Sequence, residues 1–278
     1  MTQQAGTTGS TPRFRGGVPS SSTVASLSRG DRILIITSIT LTTVLAWTYL
    51  IHLGHQMSSQ MESDRTMAVM GMTTEWTAAD VGYTLAMWAV MMVGMMAPAA
   101  APVMMLFAAS KAKRAKPDAA PTTLIFGLGY VAVWIFFSVA ATFAQWALHH
   151  QAMLSSNMAT SNLRLGGTVL IAAGLFQVTP WKNKCLAHCR SPLGFLMANW
   201  RDGALGSFEM GVRHGGYCLG CCWALMLVLF AVGVMNLVWV GVLTVFILIE
   251  KIAPGGTIAG RIAGAALILA GVVMIATR

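Results

Sequence analysis

Long apolar runs, separated by short polar segments, make up most of this 278-residue chain. They cover residues 33–53, 81–109, 124–148, 165–179, 215–252 and 262–277. A helix that crosses a bilayer needs about 20 apolar residues, so the chain has room for six or seven such helices. Only 10% of its residues are charged, against about 25% in a soluble domain. The pattern argues against a water-soluble fold and predicts an all-α, polytopic transmembrane bundle over residues 31–278.

The number of spans depends on the run 215–252. As one helix it would be about 57 Å long, nearly twice the bilayer core of about 30 Å. We therefore expect two helices with a tight turn near Met235 and Asn236, which gives seven spans. A six-span bundle, in which 215–252 forms one long tilted helix, is the alternative.

The basic residues predict the orientation. The chain holds 18 Lys and Arg against 9 Asp and Glu, and the basic residues cluster between the apolar runs. Seven spans with a cytoplasmic N-terminus leave only Arg65, Arg164 and Arg278 outside, as expected for loops held on the cytoplasmic side. The sequence thus predicts a multi-pass protein of the bacterial inner (plasma) membrane, surrounded by lipid and without a nucleic-acid partner. Residues 1–30 are rich in Ser, Thr, Gly and Gln and are expected to form a flexible tail.

All five cysteines fall in two short segments that also carry histidine. A short helix between Pro180 and Pro192 would place its two thiols and its imidazole on one face, because they are spaced by three and four residues. In the second segment, Met210, His214, Cys218 and Cys222 follow at steps of four. Thiolate and imidazole bind Zn(II), and thiolate and thioether select Cu(I). The predicted metal ligands are Cys185, His188, Cys189, His214, Cys218, Cys221 and Cys222, with copper favoured over zinc.

Methionine is the second signal, with 20 residues in the chain. Met87, Met91 and Met95 recur every four residues on the second predicted span, where they can be packing material or a path for a soft metal. In the first outer loop, methionines lie close to two histidines and can collect copper outside the cell. The predicted outer ligands are His52, His55, Met57 and Met61.

Two further patterns concern packing. Glu209 with Arg213, and Glu250 with Lys251, are expected to pair near the membrane interface. Small residues at Gly256, Gly260 and Gly264 predict close helix packing or a homo-oligomer through this face.

Enzyme signatures are absent from the sequence: it contains no phosphate-binding lysine loop, nucleophile elbow, HExxH or dinucleotide fingerprint. One enzymatic alternative stays open. Cys218 and Cys221 form C-x-x-C, a spacing used by thiol-disulfide oxidoreductases. A structural or assembly subunit of a membrane complex is a further alternative.

Three segments carry a resemblance to a known family: M-W-A-V-M-M-V-G-M-M-A-P, P-W-K-N-K-C-L-A-H-C and H-G-G-Y-C-L-G-C-C. Over residues 84–270 the chain resembles a bacterial family of predicted metal-binding integral membrane proteins, a domain of unknown function. The resemblance implies a metal-binding role for the seven Cys and His residues named above. Together the patterns predict transport or delivery of a soft metal, with a metallochaperone or a membrane complex as partner.

Overall fold

The computed structural model describes residues 28–69, 76–113, 119–150 and 162–277. Within them every regular element is an α-helix. The helices are α1 (Arg29–Val69), α2 (Ala78–Lys113), α3 (Ala119–His150), α4 (Leu163–Gln177), α5 (Pro180–Arg190), α6 (Pro192–Asn199), α7 (Gly203–Val232), α8 (Leu237–Ile252) and α9 (Gly256–Ala276). The all-α prediction is confirmed for this part of the chain, whereas most of the predicted tail lies outside it.

Five helices are long and apolar enough to cross a membrane: α1 over Arg29–Gln56, α2, α3, α7 and α9. The helices α4 and α5 pass the same test only as a pair, and they meet at a bend of 63°. The remaining predicted span, α8, has only 16 residues. Length and composition thus support five spans, or six with the bent pair, while seven spans and a cytoplasmic N-terminus stay predictions.

Helix ends follow local chemistry. Pro180 and Pro192 begin α5 and α6, where a missing N–H costs nothing. The Thr179 hydroxyl accepts a hydrogen bond from the Lys182 N–H at 3.3 Å and caps α5. The apolar run 215–252 is interrupted at Gly233, whose φ of 101° favours glycine. The turn predicted near Met235 and Asn236 is therefore confirmed.

Two sequence features that can break helices do not do so here. Pro98 and Pro102 lie inside the continuous helix α2, as is tolerated where neighbouring helices pack against an apolar helix. Gly215 and Gly216, which can interrupt a helix, lie within the continuous helix α7. The helix α1 also continues to Val69, through residues expected to form an outer loop.

The helix α7 occupies the centre of the fold and packs against α3, α4, α5 and α8. Its approach to α3 is very close, because a side chain at Gly211 would overlap the Phe126 carbonyl. A similar contact joins α4 to α9, where Gly264 lies against the Gly174 carbonyl. The predicted small-residue face of α9 therefore packs within the chain, and a homo-oligomer through it stays a prediction.

Candidate metal centre

One face of α7 carries most of the candidate ligands. Met210, His214, Cys218 and Cys222 follow at steps of four residues, and the unbroken helix brings them onto one side. Cys221 lies beside this row. All three α7 cysteines are only 1% exposed and belong to the main hydrophobic core. The helical register expected from the sequence is confirmed.

The second cysteine segment, on α5, packs directly on α7. A side chain at Gly220 would meet the Cys185 sulfur at 2.9 Å, so this glycine makes room for the thiol. The Cys189 thiol lies beside those of Cys218 and Cys221 and interacts with both. Two segments that are separated in sequence thus place their sulfur atoms in one region between α5 and α7.

The thiols form hydrogen bonds within their own helix. Cys221 and Cys222 both donate to the carbonyl oxygen of Cys218, at 3.1 and 2.7 Å, and their sulfur atoms are 3.8 Å apart. All five cysteines are free. In the described part of the chain, no three His, Cys, Asp or Glu side chains form a group that could hold a metal ion. Binding by these thiols therefore requires them to turn away from the Cys218 carbonyl.

Besides the Cys189 thiol, the Cys218 sulfur contacts polar groups of Lys251 and Tyr130. The ammonium of Lys251 on α8 donates to it at 2.8 Å, and the Tyr130 hydroxyl on α3 lies 3.0 Å from it. That hydroxyl also donates to the Met96 carbonyl at 3.0 Å. Lys251 is 7% exposed and Tyr130 is 3% exposed, so a charged group is buried beside a thiol. An ammonium stabilises the negative charge that a metal-binding thiolate carries.

The prediction that Glu250 pairs with Lys251 is wrong. Adjacent residues on a helix point about 100° apart and do not face each other. Glu250 instead forms a buried ion pair with Lys182 on α5, which also donates to Gln177. By contrast, the Glu209–Arg213 pair is observed at 3.0 Å, one helical turn apart.

The two histidines differ in their surroundings. His188 stacks on Tyr217 with ring centroids 4.1 Å apart, and its Nδ1 lies 2.9 Å from the Lys184 carbonyl. His214 is buried among the rings of Phe126, Tyr130 and Phe195. Among the described residues its Nδ1 has no hydrogen-bond partner. A buried polar atom of this kind costs free energy unless a water or a ligand satisfies it, so His214 retains a free donor or acceptor one turn from Cys218.

The methionine row is part of the same core. Met87, Met91 and Met95 are 3% or less exposed and belong to the cluster that contains the α7 cysteines. The structure thus joins the sulfur atoms of α2 and α7 in one continuous apolar interior. On α1, His52 and His55 are exposed, whereas the side chains of Met57 and Met61 lie outside the described residues.

Sequence reasoning missed the polar partners of the thiols. Lys251 comes 33 positions after Cys218, and Tyr130 comes 88 positions before it, so no local spacing links them. The one available signal was a lysine at the end of an otherwise apolar run, since intramembrane charges are rarely without a function.

In the described residues, fold and site together define a helical protein with several apolar, membrane-length helices around a buried, sulfur-rich core. A family model described as PpoB2, copper chaperone, matches residues 85–274. The chain belongs to this family, and its role is related to copper. The match covers nearly the same residues as the resemblance to a metal-binding family. No curated protein and no solved structure matches the chain.

Proposed function

We propose that this protein is a membrane-embedded copper chaperone that holds Cu(I) between α5 and α7 and passes it on. The observation that carries the proposal is the packing of α5 on α7, which brings the partly buried cysteines of α5 against the buried cysteines of α7. The family assignment supplies the copper relation. Soft thiolate and thioether donors are the ligands that Cu(I) prefers.

The α7 thiols are the proposed primary ligands. Cys218, Cys221 and Cys222 are buried, and Cu(I) accepts a small number of soft ligands, whereas a structural Zn(II) site needs four. Rotation about χ1 frees Cys221 and Cys222 from the Cys218 carbonyl. Cys185 and Cys189 on α5 supply further thiols on the opposite side, and His188 and His214 supply imidazole nitrogen.

The methionines form the proposed path to this site. A thioether carries no proton and binds Cu(I) weakly, so Met87, Met91 and Met95 can exchange the ion without releasing or taking up protons. His52, His55, Met57 and Met61 are proposed to collect copper at the outer end. The sequence contains no phosphate-binding lysine loop, so movement of the ion would follow a gradient or a coupled partner.

The membrane placement belongs to this proposal. Five helices have the length and apolarity of spans, and their orientation is expected from the basic residues. In this arrangement the thiols lie towards the cytoplasmic face of a bacterial inner membrane. A cytoplasmic metallochaperone or a membrane complex would receive or supply the ion there.

A thiol-disulfide oxidoreductase is less well supported. Cys218 and Cys221 are almost fully buried, and the Cys221 thiol donates to the Cys218 carbonyl. A protein substrate has no direct access to this pair.

The test is Cu(I) binding by the purified full-length chain in detergent, under reducing conditions, in competition with a chromophoric Cu(I) chelator. We expect one bound ion for the wild type and its loss in the double variant Cys218→Ser with Cys222→Ser. Met274→Leu is the matched control, because it removes a sulfur from the separate cluster around Leu170 and Ala173. Wild-type protein that binds no Cu(I), or a double variant with full affinity, would overturn the proposal.

A further inference from the structure

The five cysteines differ in how far they lie from the surface of the described structure. The three cysteines of α7 are each 1% exposed, whereas Cys185 and Cys189 on α5 are partly exposed. The Cys189 thiol interacts with those of Cys218 and Cys221, and the Cys185 sulfur lies against Gly220 of α7. The α5 thiols therefore contact the buried site on one side and reach the surface on the other.

From this placement we infer that Cys185, His188 and Cys189 are exchange ligands, which pass Cu(I) between the buried α7 thiols and a partner protein. The inference rests on the proposed copper function and deepens it. It assigns storage of the ion to α7 and its transfer to α5. The partner is a Cu(I) carrier with thiolate ligands, because thiolates select Cu(I) and match the donors of α7.

His188 has the hydrogen bond that is typical of a metal-binding histidine. Its Nδ1 lies 2.9 Å from the Lys184 carbonyl, and a carbonyl oxygen only accepts, so Nδ1 carries the proton of the neutral ring. The lone pair is then on Nε2, the atom that can bind a metal. Histidines that bind metals commonly donate their other N–H to a carbonyl or a carboxylate in this way. The stacked ring of Tyr217 also orients the imidazole.

The composition of α5 indicates that its exposed side faces water rather than lipid. Five of its 11 residues are charged or strongly polar: Lys182, Asn183, Lys184, His188 and Arg190. Charged side chains are unfavourable in hydrocarbon, and Lys184 is exposed. The bend of 63° before α5 breaks the span, and such breaks occur where the chain lines protein or a water-filled cavity. A soluble partner can therefore reach the α5 thiols, whereas α5 itself covers those of α7.

The proposed transfer is a ligand exchange in which no atom changes its oxidation state. An α5 thiol loses its proton and binds the ion, while an α7 thiolate leaves the ion and takes up a proton. One metal–sulfur bond forms and one breaks, and the partner's thiolate then displaces the α5 thiolate in the same way. No three ligand side chains converge among the described residues, so the α5 groups bind the ion in turn rather than as one closed site.

The test separates the affinity for Cu(I) from the rate of its transfer. The full-length chain in detergent is loaded with one Cu(I) under reducing conditions and mixed with an excess of a water-soluble chromophoric Cu(I) chelator. We expect the double variant Cys185→Ser with Cys189→Ser to bind one ion with an affinity within about threefold of the wild type, but to transfer it at least about tenfold more slowly. His188→Asn keeps a donor near the Lys184 carbonyl but loses Nε2, and it should slow transfer by a smaller factor.

Ala187→Ser is the matched control, because it places a serine hydroxyl on the exposed side of the same helix. It should leave affinity and rate unchanged. If the double variant does not fold, Cys185→Ser alone, at a partly exposed position, decides the result. Transfer that is as fast as in the wild type, or faster, would overturn this inference alone. A fall in affinity as large as that of the α7 double variant would do the same, because the α5 thiols would then hold the ion. Wild-type protein that binds no Cu(I) would instead overturn the proposed function.

Discussion

Two buried lysines near the junction of α5, α7 and α8 have different partners. Lys182 donates to the Glu250 carboxylate and to Gln177, so its charge has a permanent counter-charge. Lys251, one residue after Glu250, instead contacts a cysteine sulfur. A thiol is neutral or negative according to its proton or metal, so the charge balance around Lys251 depends on the state of Cys218.

The Lys182–Glu250 ion pair is therefore called the fixed pair here, whereas the charge of the Lys251–Cys218 contact depends on the proton or metal that the sulfur carries. The Lys182–Glu250 pair joins α5 to α8, and Arg190 adds hydrogen bonds from the other end of α5 to the carbonyls of Glu250 and Pro254. Cys185 and Cys189 lie between these two attachments. The fixed pair therefore positions one set of thiols, whereas Lys251 contacts the other set directly.

The largest effect is expected when the fixed pair loses one partner. Lys182→Met leaves the Glu250 carboxylate buried and unpaired, which should lower the free energy of unfolding by about 3–5 kcal/mol. The double variant Lys182→Met with Glu250→Leu removes both charges and should recover most of this loss. Unfolding in mild detergent, followed by tryptophan fluorescence, measures both. A single variant as stable as the wild type would show that the pair is not a structural link.

Arg190→Met tests the second attachment of α5. Two hydrogen bonds from a charged donor to the carbonyls of Glu250 and Pro254 are lost. The side chain is half-buried, so water replaces part of the interaction. We expect a loss of about 1–3 kcal/mol in the same unfolding assay. A larger loss than that of Lys182→Met would show that the Arg190 hydrogen bonds contribute more to stability than the Lys182–Glu250 pair does.

Lys251→Met in the metal-free protein should cost much less than Lys182→Met, at most about 1 kcal/mol. Removal of the ammonium leaves Cys218 with its proton, and a neutral thiol is tolerated in an apolar interior. The same assay under reducing conditions with a metal chelator measures the change. A loss as large as that of Lys182→Met would show that Lys251 stabilises the metal-free fold as strongly as Lys182 does.

Local sequence patterns predicted much of the helical architecture. Proline at positions 180 and 192 predicted α5, and the excessive length of the run 215–252 predicted the turn after α7. The four-residue row from Met210 to Cys222 was correct because α7 is unbroken. The short helix α6 and the 63° bend between α4 and α5 were not predicted, although each lies at a proline, Pro192 for the helix and Pro180 for the bend.

The contacts that define the site could not be predicted from local sequence patterns. Spacing along one helix shows which side chains share a face, but it does not show what the opposite helix presents to them. Tyr130 reaches Cys218 from α3 because Gly211 and Gly129 allow α3 and α7 to approach closely, and Lys251 reaches the same sulfur from α8. The expected Glu250–Lys251 pair failed for a related reason, since both residues face partners on other helices.

The smallest effect is expected at the exposed pair of Glu209 with Arg213. Its atoms are 3.0 Å apart, but both side chains are more than a third exposed, and Arg201 also contacts Glu209 at 2.7 Å. Water and salt screen such pairs, and the second arginine remains after Arg213→Ala. The change in unfolding free energy should be at most about 0.5 kcal/mol and should shrink with added salt. A loss comparable with that of Lys182→Met would show that burial is not what distinguishes the charged pairs of this fold.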